Sequence, residues 1–272
     1  MSNSINTNIA AFVALQNLNN VNSNLGVTQN RVSTGLRVAN AVDDASSFAI
    51  AQGIRASIKA YSAVSQGIAN ARGVATVSLA GANAISDLLG DIQAKITQGE
   101  NAGNSTAQQS ILNADFQNLI AQVNTFINNA TYNGRNLLSA GATSINVIAN
   151  IDGSTLTLRS NSAFSITSAN LGAQNISTTT QAAQALSALL LAQATIATVL
   201  GNLGADTKTI NYQDTFLSQL SDATNVGLGS IVDADLARES SRLQALQVQQ
   251  QLSIQTLGIA NQAPQHLLNL FR

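Results

Sequence analysis

His266 is the only histidine in 272 residues, and without cysteine the chain has no thiol nucleophile, thiolate metal site or disulfide framework. A lone imidazole with no clustered acids beside it does not make a metal site, and no HExxH pattern occurs. The adjacent carboxylates Asp43 and Asp44 could be taken for an acid–base pair. Neighbouring residues at a helix start point in different directions, however, and acidic groups there cap the first turn and meet the positive end of the helix dipole. Val42-Asp43-Asp44-Ala45 therefore predicts a helix N-terminus with Asp43 and Asp44 in capping roles. No cofactor loop or titratable cluster stands out, so no enzyme activity, cofactor or metal is expected.

The segments that would have to position any chemistry are unusual in another way. Charged residues make up only 9% of the chain and the net charge is −1, which supports neither nucleic-acid binding nor polybasic membrane attraction. From Met1 to Asn30 there is no charged side chain, and after Arg242 none is formally charged until Arg272. Ile5, Ile9, Phe12, Leu15, Leu18, Val21 and Leu25 recur at helical spacing among asparagines. Leu243, Leu246, Leu252, Leu257, Leu267, Leu268 and Phe271 do the same among glutamines. An exposed soluble helix ordinarily carries Lys and Glu on its outer face. Two terminal helices faced with amides instead predict surfaces that end up buried against other copies. Such a stripe cannot order so long a helix alone, so both ends are expected to fold only on assembly.

Between the ends, hydrophobic residues reach 45% while aromatics are 4% and Trp is absent, which predicts an aliphatic, Ala-rich helical core. One Pro and 18 Gly fit long helices with occasional breaks. The first helix is expected over residues 5–34, ending at Gly35. A second carries a near-heptad stripe from Ile50 through Tyr61, Val64, Ile68, Leu79, Ile85, Leu89 and Ile92 to Ile96 and breaks at Gly99–Gly103. A third runs over 106–129. The period then changes: Ile145, Val147, Ala149 and Ile151 alternate, Asp152-Gly153 makes a turn, and Leu156 and Leu158 alternate again, which is a hairpin. A further short strand is expected around Phe164–Thr167. Helical pattern resumes over 181–226, Gly227-Leu228-Gly229 reads as a joint, and the last helix begins near Asp233–Asp235, with Pro264 as a kink or stop. The apolar run Ala185–Leu200 is too short to span a bilayer and is expected as a core helix. The fold class is mainly α: long antiparallel helices in a coiled-coil-like rod, paired terminal helices and a small β-hairpin insert.

Several separated motifs in order carry a more specific likeness. Ser4-Ile5-Asn6-Thr7-Asn8, Arg31-Val32-Ser33-Thr34-Gly35-Leu36-Arg37 and Asp43-Asp44-Ala45 resemble the N-terminal signature of bacterial flagellins. Thr131-Tyr132-Asn133-Gly134-Arg135-Asn136-Leu137-Leu138 resembles the motif that precedes that family's variable region. Ala234-Asp235-Leu236-Ala237-Arg238-Glu239, Ala260-Asn261-Gln262-Ala263-Pro264-Gln265 and the Leu270-Phe271-Arg272 end resemble its C-terminal signature. The likeness covers roughly 1–138 and 181–272, a short type without large outer domains.

The resemblance implies an inner-tube domain of residues 1–42 with 233–272, a rod domain of 43–140 with 177–232, and a small variable insert at 141–176. It implies a structural subunit that self-assembles into the extracellular flagellar filament for swimming, exported unfolded through the flagellar secretion apparatus. The absence of a basic n-region and apolar h-region points by itself to the cytoplasm; the resemblance overrules that and implies secretion. Expected partners are other copies or other flagellins, the export apparatus with a dedicated chaperone, and the hook–filament junction and cap proteins, with neither nucleic acid nor membrane. Candidate subunit contacts are Ile5, Ile9, Phe12, Leu15, Leu25, Leu243, Leu246, Leu252, Leu257, Leu267, Leu268 and Phe271, to which the resemblance adds Arg31 and Leu36. Arg31 has a second reading: pairing within the chain to an acid such as Asp233, Asp235 or Glu239. Hydroxyls in the variable insert, among them Thr143, Ser144, Ser160 and Ser162, could carry O-linked sugar as in some relatives. Many flagellins carry arginines where the vertebrate innate flagellin receptor binds; here Asp87–Gln98 has only Lys95, so weak receptor recognition is expected. A minor junction or hook-associated subunit is the alternative within the family, and a secreted helical adhesin the alternative outside it.

Overall fold

The computed structural model describes residues 7–269, and their side chains other than those of residues 166 and 263–269. Six helices are described: α1 (Ile9–Thr34), α2 (Ala45–Gly99), α3 (Thr106–Asn129), α4 (Ala163–Gly172), α5 (Thr179–Val232) and α6 (Leu236–Asn269). Four short strands, β1 (Thr131–Tyr132), β2 (Arg135–Asn136), β3 (Ile145–Ile148) and β4 (Thr155–Leu158), form two antiparallel pairs. The chain divides into two compact units, residues 57–222 and residues 1–56 with 223–272.

In the first of these, α2 and α5 run antiparallel, as the Arg72–Asp214 and Gln93–Gln193 contacts require. Their facing residues repeat at three- and four-residue steps: Val64, Ile68, Ala71, Ala75, Ala82, Ile85, Leu89, Ile92 and Ile96 on α2, and Ala182, Ala185, Leu189, Ala192, Ile196, Val199, Leu203 and Ile210 on α5, all buried. That is the spacing of a coiled-coil seam. It makes the apolar stretch of α5 a core helix, although its outer face leaves Leu190 and Leu191 exposed. α3 adds Phe116, Ile120, Val123 and Ile127 to the same core. Its start is fixed by a capping box, Ser105 accepting from Gln108 N while Gln108 Oε1 accepts from Ser105 N. Asn133 and Gly134 both have positive φ in the turn between β1 and β2, and the Tyr132 ring lies so close to Gly73 that a Cβ there would come within 2.6 Å of it.

The expected hairpin pairs Val147 with Leu156 and Ile145 with Leu158, and buries Val147 and Leu158. Its strands end earlier than the alternation through Ala149 and Ile151 predicts: Ala149 N donates to Ser154 O, and Gly153 turns the loop at φ +85°. Two other expectations are corrected, and of the two readings at Pro264 the stop falls away. Residues 164–167 are not a strand but part of α4, because Phe164, Ser168 and Leu171 are buried at helical spacing, and four residues are too few to separate the two periods. Gly227-Leu228-Gly229 is no joint: α5 continues through it, and Leu228 packs on Val38, Ala51 and Val232, which outweighs roughly 1 kcal/mol of lost propensity per glycine. α6 likewise continues through Pro264 rather than stopping there.

Candidate assembly surface of the terminal helix pair

α1 begins where Asn8 accepts from Ala11 N through Oδ1, at 3.1 Å. The other side of the same amide donates to Ala260 O of α6 at 2.7 Å, so one side chain both starts α1 and ties it to its neighbour. α1 ends at Gly35, whose φ of +72° a side chain would strain and whose N–H closes on Arg31 O. α1 and α6 pack antiparallel: Asn8 meets Ala260, Asn22 accepts from Gln250, and Arg31 meets Glu239. Between those contacts the facing strip of α1 is Ala11, Ala14, Leu18, Val21, Leu25 and Thr28, and that of α6 is Leu243, Leu246, Gln250, Ser253, Leu257 and Ala260; all of these are buried or half-buried. Ala11, Ala14, Thr28, Ser253 and Ala260 are seam residues that a search for large apolar side chains misses; the three-and-four spacing itself is what could have found them.

The candidate contact residues therefore fall into two groups. Leu25 and Leu246 are buried in the seam within one chain, and Leu243 and Leu257 are half-buried there. Ile9, Phe12, Leu15 and Leu252 are not: Ile9 is 61% exposed, Phe12 65% and Leu252 55%. Val13 and Val27 on α1 and Val248, Ile254 and Ile259 on α6 are large, apolar and exposed as well, and were not singled out by the sequence. On α6, Val248, Leu252 and Ile259 recur four and seven residues apart on the side turned away from the seam. The pair thus has an inner apolar strip that is satisfied and an outer one that is not, the outer one set among Asn and Gln. Ile5 and Phe271, and the side chains of Leu267 and Leu268, lie outside the described residues, as does the His266 side chain.

At the base of the pair the two connectors bind one another. Leu36 and Asp233 form an antiparallel bridge, Arg37 N donates to Val232 O at 2.7 Å, and Ala234 N donates to Gly35 O at 2.9 Å. Val38, Ala51 and Val232 are buried together, with Leu36 and Phe48 packed on them. Arg31 pairs within the chain, its Nη1 lying 3.2 Å from Glu239 Oε1. Asp43 and Asp44 have separate roles. Asp44 caps α2, accepting from Ser46 N and Ser47 N and from the Ser47 hydroxyl at 2.6 Å. The Ser47 hydroxyl and then its N–H hold the Asp44 carboxyl below the usual carboxylate range. Asp43 is not a helix cap: its Oδ2 accepts from Ala39 N and Asn40 N and closes the loop before the helix. Of the hydroxyls considered for sugar, Thr143 and Ser144 are exposed, while Ser160 is half-buried and donates to Ala142 O.

Together these features define a long-helix, coiled-coil protein whose terminal pair carries, over 9–30 and 243–262, an uncharged and partly apolar outer face. Residues 5–143 match the bacterial flagellin N-terminal helical region, and residues 186–271 match the bacterial flagellin C-terminal helical region. The chain is 37% identical over 273 residues to flagellin FljK of Caulobacter vibrioides, with 99% of each covered. It is 37% identical over 287 residues to a flagellin of Brucella melitensis and 30% over 323 residues to flagellin C of Rhizobium meliloti, again with 99% of each chain covered. A crystal structure of Bacillus cereus flagellin overlays with a TM-score of 0.37 at 16% identity, covering 65% of this chain and 94% of that one. The chain belongs to the bacterial flagellins. It is a structural subunit of the flagellar filament, the polymer that serves swimming motility.

Proposed function

We propose that the outer faces of α1 and α6 are the surfaces through which copies of this chain join in the filament, with Ile9, Phe12, Leu15 and Leu252 in direct contact with neighbours. Leu25, Leu243, Leu246 and Leu257 act within each chain, by holding its two helices together as those faces meet their neighbours. Ile5, Leu267, Leu268 and Phe271, which lie outside the described residues or have side chains that do, are proposed as further subunit contacts, and Arg31 and Leu36 brace the base of the pair. The observation that carries this is the row of large apolar side chains left exposed on the stretches 9–30 and 243–262, which have no formal charge to keep them soluble. A charge buried at a repeated interface needs a partner in every subunit, whereas Asn and Gln hydrogen-bond across a contact with no charge to desolvate. A head-to-tail contact that does not close a ring extends into an open helical polymer.

In this reading residues 1–42 with 233–272 form the inner tube, 43–140 with 177–232 the rod around it, and 141–176 a small outer insert. The subunit leaves the cell unfolded through the flagellar secretion apparatus, escorted by an export chaperone, and the filament it builds joins hook-junction proteins at one end and cap proteins at the other. Thr143 and Ser144 are the hydroxyls best exposed for O-linked sugar, with Ser144 Oγ accepting from Ser160 N; Ser162 is half-buried, and Ser160 donates its hydroxyl to Ala142 O. The vertebrate flagellin receptor is engaged weakly, since the one cation in Asp87–Gln98, Lys95, is held 2.8 Å from Asp115.

Leu252→Asp tests the assembly surface. It is expected to abolish filament growth from purified subunits, seen by electron microscopy, while circular dichroism and melting of residues 57–222 stay unchanged. Normal filaments from this variant would remove the outer face from the contact.

A further inference from the structure

The seam between α1 and α6 does little to decide where along its length the two helices come to rest. Ala11, Ala14, Leu18, Val21 and Leu25 face Leu243, Leu246, Gln250, Ser253, Leu257 and Ala260, and both strips step by three and four. A seven-residue repeat can slide by seven and still set small and aliphatic groups against one another. Each such slip displaces one helix by about 10 Å, at 1.5 Å per residue. The seam would survive, but the outer stripes of α1 and α6 would no longer stand level with each other.

We propose that the knot between residues 35–38 and 231–234, completed by the Arg31–Glu239 pair, is the register lock of the terminal helices. Its contacts cannot be passed to a residue seven places away. The Leu36–Asp233 bridge and the Arg37-to-Val232 and Ala234-to-Gly35 bonds are backbone bonds between two connectors, and either helix would have to unwind to reform them elsewhere. Val38 and Val232, both buried, fill one small core with Ala51 and have no second seat. Arg37 adds a bond from Nη2 to Ile231 O at 2.6 Å. The ion pair sits next to this knot and is expensive to misplace, because Glu239 is 8% exposed and a slip strands its carboxylate. Arg31 Nε and Glu239 Oε2 are buried without partners, so the pair is a poor device for stability alone. A buried pair of that kind selects one arrangement over its neighbours. Asn8 to Ala260 O and Gln250 to Asn22 agree with the register so chosen.

The inference takes from the proposed function only that the outer faces must meet other copies at a fixed offset. The absence of cysteine gives a clean background for testing it. Asn22→Cys with Gln250→Cys reports the register described; Asn22→Cys with Leu243→Cys or with Leu257→Cys reports a slip of one repeat in either direction. After oxidation of assembled filaments, the 22–250 crosslink should exceed either slipped one by about a hundredfold, the discrimination that a broken buried pair provides. Adding Arg37→Pro and Glu239→Ala should bring the slipped crosslinks up to a comparable yield. Should that variant fail to assemble alone, Glu239→Gln doped into filaments of unmodified subunits should raise the slipped crosslinks above background. Comparable yields with the knot intact, or an unchanged register with it broken, would overturn the lock. If the 22–250 crosslink forms in unassembled subunits, folding of the ends on assembly is lost as a proposal, while the lock stands.

Discussion

Asp44 shows how a charge pattern in the sequence resolves into a definite job. Its carboxylate holds the Ser47 hydroxyl and two N–H groups at the start of α2, and those bonds favour the ionised form. A carboxyl whose folded pKa is depressed stabilises the fold above its ordinary value and loses that contribution as pH falls through the lowered one. Amide exchange at Ser46 and Ser47 should therefore accelerate as pH drops below the usual carboxylate range of about 4, after correction for intrinsic rates; in Asp44→Ala the step should vanish. Ser105→Ala, which removes half of the capping box of α3, should cost about 1 kcal/mol in urea unfolding. The capping role of Asp44 was legible because acidic residues before an apolar run have few other uses. That Asp43 belongs to the loop was not, since two adjacent carboxylates look alike until the chain's path through residues 39–43 is known.

Among the elements, one residue of the coiled-coil seam ties the chain just after the β hairpin to α5, while Gln213 of α5 donates to Ala149 O in the hairpin loop. Asp206 falls on the seam repeat that otherwise holds Leu203 and Ile210, and it is buried. It accepts from Arg159 N, Nε and Nη2, while Nη2 also reaches Asn202 O. That contact, with the charge of the carboxylate, pushes the Arg159 guanidinium pKa up. Asp206→Ala should cost about 1–3 kcal/mol, with Arg159 half exposed and so able to recover water, and should raise amide exchange in 145–158 more than in α2. A uniform loss of protection would mean that the pair supports the rod rather than the hairpin. The long helices were legible because their apolar repeat runs on for many turns; α4 was not, because a few alternating residues fit either period. The glycines at 227–229 misled for a related reason: local propensity is weak beside the packing of Leu228.

For the molecule as a polymer subunit, the sequence carried the main feature, two charge-free ends with apolar stripes, and family motifs in order. It could not divide those stripes into a strip used within the chain and a strip left over, because the division depends on how α1 and α6 rotate against each other. Leu246 and Leu252 are six residues apart on the same helix and read alike, yet one is buried and the other exposed. Both Leu246→Asp and Leu252→Asp should therefore block filament growth. When each is doped into filaments of unmodified subunits, Leu246→Asp should also lower amide protection of α1 in its own chain, whereas Leu252→Asp should lower incorporation without that loss. In a reporter assay of the vertebrate flagellin receptor, the purified subunit should be far less potent than an arginine-bearing flagellin; equal potency would contradict the account of the 87–98 segment. The central claim is that the terminal helices are completed by neighbouring copies. Hydrogen exchange compared between unassembled subunits and filaments addresses it most directly. The account predicts rapid exchange across 9–30 and 243–262 in the subunit and strong protection of both in the filament. Strong protection of these helices in dilute subunits, unchanged on assembly, would contradict it.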